Sequence, residues 1–387
     1  MCHSKPVSES AKLVSMKRFN ENSTISEVLD SYQYFGFQAT NVGKAAKILK
    51  QMYEWRLSSE PLTKEEEEEL VDMQNNDGTI FSWASPEIRP VTRATIFLSF
   101  TSNMISCGLR DTFVYLAKQN LVDCIVTTAG GIEEDFIRCF GKFVVGDFHK
   151  IKGPKLRADG WNRIGNIYVP NENYVKFESW LLPILDFMLE QQIKLNYNWT
   201  PSKMIALMGK IINDESSLYY WCYKNKIPVF CPAITDGSLG DCLYFHYKNK
   251  DTKLKIDTIE DIIFMNETAR TAKKSGIIIL GGGLPKHHVC NANLMKNGAD
   301  FAVYINTGQE FDGCDSGASP DEAISWGKIN SEAQYVKVNS DASIVFPLLL
   351  CGVIKNYTDF KKSAIRTSPY YTNYYPNVDI FNLELNH

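Results

Sequence analysis

The stretch PDEAISWGKI, residues 320–329, sets one amine, Lys328, after two acids, an indole and a glycine. Glu322 and Trp326 are four residues apart, so one helical turn puts them on one face. Gly327 interrupts that turn and suits a close backbone approach. A lysine attacks carbon only when its amine is neutral, through desolvation or nearby positive charge. Surrounding carboxylates hold the proton on instead. A bound polycation removes the conflict, because it offsets the carboxylates and expels water. Lys328 could then attack an imine carbon and carry a fragment as a Schiff base. The alternative is a surface lysine paired with Glu322 or Asp321.

Further acids point to the same ligand. Glu133, Glu134, Asp236, Asp241, Asp312, Asp315 and Glu322 all fall where strands are expected to end. Asp236, Asp241 and Asp341 also suit helix caps. A cleft lined by acids concentrates cations, and Trp326 adds a cation–π contact of about 1–2 kcal/mol if desolvated. The expected ligand is a small polyvalent cation such as a polyamine. The pair His287-His288 invites a metal reading, but adjacent helical positions point about 100° apart and seldom bind one ion. One histidine as a general base, or a structural histidine, are the other readings. Lys286 precedes them.

Small residues recur beside these groups. Ser102, Asn103, Thr128, Ala129 and Gly130 would let a backbone approach a phosphate, and helix N-termini there favour pyrophosphate. Gly281, Gly282 and Gly283 repeat the arrangement or make a tight turn. No G-x-G-x-x-G follows the first strand, so the usual dinucleotide fingerprint is absent.

The elements that must position these residues follow a repeating pattern from residue 93. Apolar runs such as TIFLSF, VDCIVTT, IPVFCPA, GIIIL, FAVYIN and VKVNSDA each pass through small residues, mostly into a helical period. This alternation predicts an α/β fold with a parallel sheet covered on both faces. Ligands of open α/β sheets bind beyond the carboxyl ends of the strands, and all the clusters above are expected at that edge. Residues 1–57 read as a polar segment (1–24) and helices broken near Gly36. Residues 58–92 hold the acidic run KEEEEEL, expected as a solvated helix face, and a connector. The α/β core spans 93–355 and includes an amphipathic helix at LLPILDFMLEQQ. A Tyr- and Asn-rich tail occupies 356–387.

Composition narrows the class. The 387 residues carry 41 basic and 45 acidic side chains, a net of −4, which argues against a nucleic-acid partner. The ten cysteines are scattered without a C-x-x-C pair, and no zinc spacing involves the six histidines. Reduced thiols in a cytoplasmic protein are expected. MCHSKPVSES lacks the apolar core of a signal peptide, and no apolar run reaches membrane-spanning length.

Several long stretches together resemble the deoxyhypusine synthase family. They are TSNMISCG, VTTAGGIEEDFIRC, NRIGNIYVPNENY, WTPSKMIA, PAITDGSLGD, ILGGGLPKHHVCNANLM, NGADFAVYINTGQEFDGCDSGASPDEAISWGK and SDAS. The resemblance covers roughly residues 93–350. It implies a Rossmann-like, doubly wound sheet with an N-terminal helical extension, 93–355 being the NAD-binding catalytic domain. It implies NAD-dependent transfer of the 4-aminobutyl group of spermidine to one lysine of the translation initiation factor 5A precursor. It also implies a homotetramer with active sites at dimer interfaces. NAD contacts fall on Ser102, Asn103, Met104, Ile105, Ser106, Thr128, Ala129, Gly130, Glu134, Asp236, Gly282, Thr307, Asp341 and Ala342. Spermidine contacts fall on Glu133, Glu134, Asp241, His287, Gly313, Cys314, Asp315 and the run from Glu322 through Trp326 to Lys328. Lys328 matches the covalently loaded lysine, and Lys286 a second lysine important for activity. His287 is the candidate base for spermidine's secondary nitrogen. Cys314 departs from the usual serine, and LP replaces a two-valine pair before Lys286. Two alternatives stay open: a homospermidine synthase, with putrescine as acceptor, and a regulatory subunit of a paralogous synthase.

Overall fold

The computed structural model describes residues 13–15, 20–75 and 82–357. Most of the polar segment expected at 1–24 and nearly all of the tail expected at 356–387 lie outside these residues. The described strands are β1 (Thr95–Phe100), β2 (Cys124–Val126), β3 (Val144–Val145), β4 (Trp161–Ile164), β5 (Ile167–Pro170), β6 (Val229–Phe230), β7 (Ser275–Leu280), β8 (Ala299–Asn306) and β9 (Ile329–Asn339).

Six of them form one sheet in the order β6-β2-β1-β7-β8-β9. Every pairing in it is parallel. Parallel neighbours need long crossovers, and helices supply them. The runs TIFLSF and SGIIIL are buried along their whole length, as strands covered on both faces must be. Alternation sorts their side chains. Ile96, Leu98 and Phe100 of β1 join one apolar cluster, and Phe97 joins the other. The expected parallel α/β sheet is therefore present. The small antiparallel sheet β3-β5-β4 was not anticipated.

The N-terminal helices are Ile25–Tyr32 and Phe37–Glu54, separated by Gly36 as expected. The acidic run forms helix Lys64–Asn75 but is not wholly a solvated face. Glu66 is buried and bonds Arg89 at 2.8 Å and Lys273 at 2.7 Å. The helix thereby docks on its own chain, because an isolated buried carboxylate would be costly.

Helix Ala129–Phe140 follows β2 and packs Ile132, Phe136 and Ile137 into the first cluster. Asp135 fixes its rotation. This buried carboxylate accepts from Arg110 Nε at 2.6 Å, Ser217 Oγ at 2.6 Å and the Leu218 N–H at 3.0 Å. Helix Gly283–Leu294 follows β7 and packs Val289, Cys290 and Ala292 into the second cluster. The two helices thus cover opposite faces of the sheet.

Candidate active site

Lys328 lies in a cleft of about 440 Å³, lined among others by Lys286, His287, Asn291, Asp315, Glu322 and Trp326. Its Nζ is 3.2 Å from His287 Nε2 and 5.5 Å from the Trp326 ring centre. Among the described residues no ion pair joins it to Glu322 or Asp321. The plain surface salt bridge is therefore not what holds this lysine.

The chain reaches Lys328 through a helix stop. Ser319 caps helix Pro320–Ser325. The Gly327 N–H donates to Ile324 O at 2.8 Å and the Lys328 N–H to Ala323 O at 2.9 Å. That double bond pattern needs a left-handed residue, and Gly327 supplies it at φ +71°. The turn itself therefore requires Gly327.

The register corrects the expected edge. Ile329 pairs with Ala299 at the start of β8, so Lys328 stands at the amino end of the sheet. The cleft instead runs along the outer side of helix Gly283–Leu294. His287, Asn291 and Leu294 recur there at helical spacing.

Lys286 is buried, and its amine donates to the carbonyls of Asp315 and, at 3.3 Å, Ala318. It braces the turn that carries Asp315, whose carboxylate is 4.0 Å away. His287 is exposed to the cleft. His288 is turned inward, and burial pushes its pKa down to about 4. Gly313 takes φ +70°, while the N–H of exposed Cys314 donates to Asp312 at 2.8 Å.

The remaining acids form a second group. Glu133 and Glu134 are buried, and desolvation raises each to about 7. Asp236 and Asp241 lie close enough to Glu133 to push it further up. Glu133 accepts the Leu239 N–H at 2.7 Å, which ties it to the helix bearing Asp241. Glu134 accepts from Ser106. This group stands on the β2 side of the sheet. Its strand is four places from β9, roughly 20 Å at the usual strand spacing. One chain therefore holds two separate acidic clusters rather than the single acidic edge expected.

The residues expected to hold a dinucleotide line the carboxyl edge. Ser102, Asn103, Met104, Ile105 and Ser106 follow β1; Thr128, Ala129 and Gly130 follow β2; Asp236 follows β6. Gly282 follows β7, Thr307 follows β8, and Asp341 and Ala342 follow β9. The geometry suits a phosphate group. Helix Ala129–Phe140 has no side-chain cap, and Thr128 Oγ1 is buried without a partner. A Cβ on Gly130 would sit 2.9 Å from Ser102 Cβ, and one on Gly282 would sit 2.5 Å from Ser316 Cα.

Asn291 and Asn306 were missed. Asn291 Nδ2 is 3.1 Å from His287 Nδ1, and the i,i+4 spacing from His287 was the available signal. Asn306 ends β8 with a buried Nδ2 that lacks a partner; no sequence pattern marked it. A second groove of about 510 Å³, beside Asp30, Lys47, Lys50 and Glu54, contains no comparable arrangement.

The deoxyhypusine synthase profile matches residues 27–353. Deoxyhypusine synthase of Arabidopsis thaliana is 53% identical over 345 residues, covering 88% of this chain and 89% of the relative. Homospermidine synthase 2 of Senecio vernalis is also 53% identical, with 86% of each chain covered. A solved Entamoeba histolytica structure assigned to deoxyhypusine synthase shares 34% identity. It covers 88% of this chain and 97% of its own, with a TM-score of 0.61. The fold and the kinship together define an α/β enzyme of the transferase class. The chain belongs to the deoxyhypusine synthase family.

Proposed function

We propose that this chain transfers the 4-aminobutyl group of spermidine to one lysine of the translation initiation factor 5A precursor, with NAD as cofactor. The observation that carries the reading is Lys328 Nζ set 3.2 Å from an imidazole nitrogen and over an indole, in a cleft with Glu322 and Asp315. An amine beside a base, with acids to hold a polycation, suits Schiff-base transfer.

NAD would be held by the Rossmann-like carboxyl edge: Ser102 to Ser106, Thr128 to Gly130, Glu134, Asp236, Gly282, Thr307, Asp341 and Ala342. Bound there, NAD would supply a hydride acceptor for the spermidine carbon and a hydride donor for the final imine. This chain's residues do the rest. Glu133, Glu134 and Asp241 receive ammonium groups at one half-site; Asp315, Glu322 and Trp326 do so at the other. His287 takes protons, and Lys328 attacks the substrate imine, releasing 1,3-diaminopropane. Lys286 positions Asp315 rather than reacting. The two half-sites lie on opposite sheet faces of one chain, and Trp326 is 66% exposed. Both features favour a homotetramer whose active sites join half-sites from two chains and so exclude water.

The test is incubation of the purified chain with labelled spermidine and NAD, with the factor precursor, with putrescine, or with neither. Label passing to the precursor supports the proposal. Transfer to putrescine alone would make the chain a homospermidine synthase. Inactivity without a paralogous subunit would make it regulatory.

A further inference from the structure

His287 and Asn291 stand one turn apart on helix Gly283–Leu294. The Asn291 amide is 3.1 Å from His287 Nδ1, and Lys328 Nζ is 3.2 Å from His287 Nε2. Amide, imidazole and amine therefore form a row, with both ring nitrogens engaged. The partner at one ring nitrogen decides what the other can do. An asparagine amide can present either its oxygen or its NH2 to Nδ1. The structure sets Nδ2 against Nδ1. A neutral imidazole has one acceptor nitrogen, however, and a lysine ammonium at Nε2 can only donate to it. The row is satisfied when the amide is turned over, so that Oδ1 accepts from Nδ1–H and Nε2 keeps its lone pair.

We propose that Asn291 is a positioning residue that holds His287 in the tautomer with a bare Nε2, so that His287 can deprotonate Lys328. The inference rests on the function proposed above. It names the step that converts an ammonium into a nucleophile, and it resembles the His–Asn half of a thiol-protease triad. An N–H bond of Lys328 breaks, an N–H bond forms at Nε2, and the amine lone pair is freed to attack the substrate imine. Over the whole transfer, two protons leave the Lys328 nitrogen and two reach the departing diaminopropane nitrogen. A protonated imine remains on Lys328, and charge balances with no oxidant. Lys328 Nζ meets His287 and not the neighbouring, half-buried His288. The charged and titratable groups around His287 are Lys328, Glu322 and Asp315 from the facing elements, and Lys286, His288 and Cys290 from its own helix.

The test is single-turnover formation of the borohydride-trappable adduct from labelled spermidine and NAD between pH 6 and 10. Wild type is compared with Asn291→Ala and Asn291→Asp, and spermidine binding is measured for each. Asn291→Ala should slow adduct formation by roughly 10- to 100-fold, with spermidine affinity held within about twofold. Its rate should climb toward the lysine range near pH 10 instead of levelling off, because solvent must take the proton. Asn291→Asp keeps an acceptor for Nδ1–H and should restore much of the rate. Its acid limb should move to higher pH, since a carboxylate strengthens the imidazole as a base. A wild-type pH profile in Asn291→Ala overturns the assignment, as does loss of spermidine binding in place of rate. Absence of any adduct in wild type would instead sink the proposed function, and this assignment with it.

Discussion

Glu134→Gln tests the buried acid pair and the cation that should satisfy it. Burial lifts Glu134 from the ordinary 4.5 to about 7. The folded chain therefore holds that proton more tightly than the unfolded chain. Stability is fully present below about 4.5, falls as pH rises through 7, and stays lower above it. The rise is worth at most about 3 kcal/mol at pH 8. Glutamine removes the charge yet keeps an oxygen to accept from Ser106. Without ligand, Glu134→Gln should be about 1–3 kcal/mol more stable than wild type at pH 8 and nearly equal at pH 5. Urea denaturation at the two pH values measures this. Saturating spermidine should reverse the order, because only the carboxylate repays the bound cation. Equal stability at pH 8, or a variant less stable at pH 8 than at pH 5 relative to wild type, would refute the reasoning.

Asp241→Asn should weaken spermidine binding by roughly 1–3 kcal/mol, read by calorimetry, as expected for a lost charge-assisted contact; unchanged affinity would remove Asp241 from the site. Spermidine affinity of wild type should rise as pH passes up through about 7, where Glu133 and Glu134 ionise; a flat profile would separate the pair from the ligand. Gly282→Val should abolish NAD binding in equilibrium dialysis, since its side chain meets Ser316 and displaces the edge; wild-type affinity would place the cofactor elsewhere. Lys328→Arg should bind NAD and spermidine but yield almost no deoxyhypusine in a transfer assay, because guanidinium stays protonated.

The strands β1, β7 and β8 were legible because their apolar runs are buried almost throughout and end in small residues. The small residues at the carboxyl edge were legible for the same reason: Ser102, Thr128 and Gly282 sit where strands stop. The location of Lys328 was not. Its place at the amino end of β9 depends on pairing with β8, a register that no local pattern encodes. The division of the acids was hidden too. Glu134 and Glu322 look alike in sequence, and only the strand order sets them apart in the fold. The strands of β3-β5-β4 are two to four residues long and mostly exposed or half-buried, so neither alternation nor a buried apolar run marks them.

The central claim is that Lys328 carries the aminobutyl group. Borohydride trapping after incubation with labelled spermidine and NAD, followed by peptide mass mapping, tests it directly. The label should reside on Lys328 and vanish in Lys328→Arg. Label on Lys286, or label retained by the arginine variant, would contradict the account.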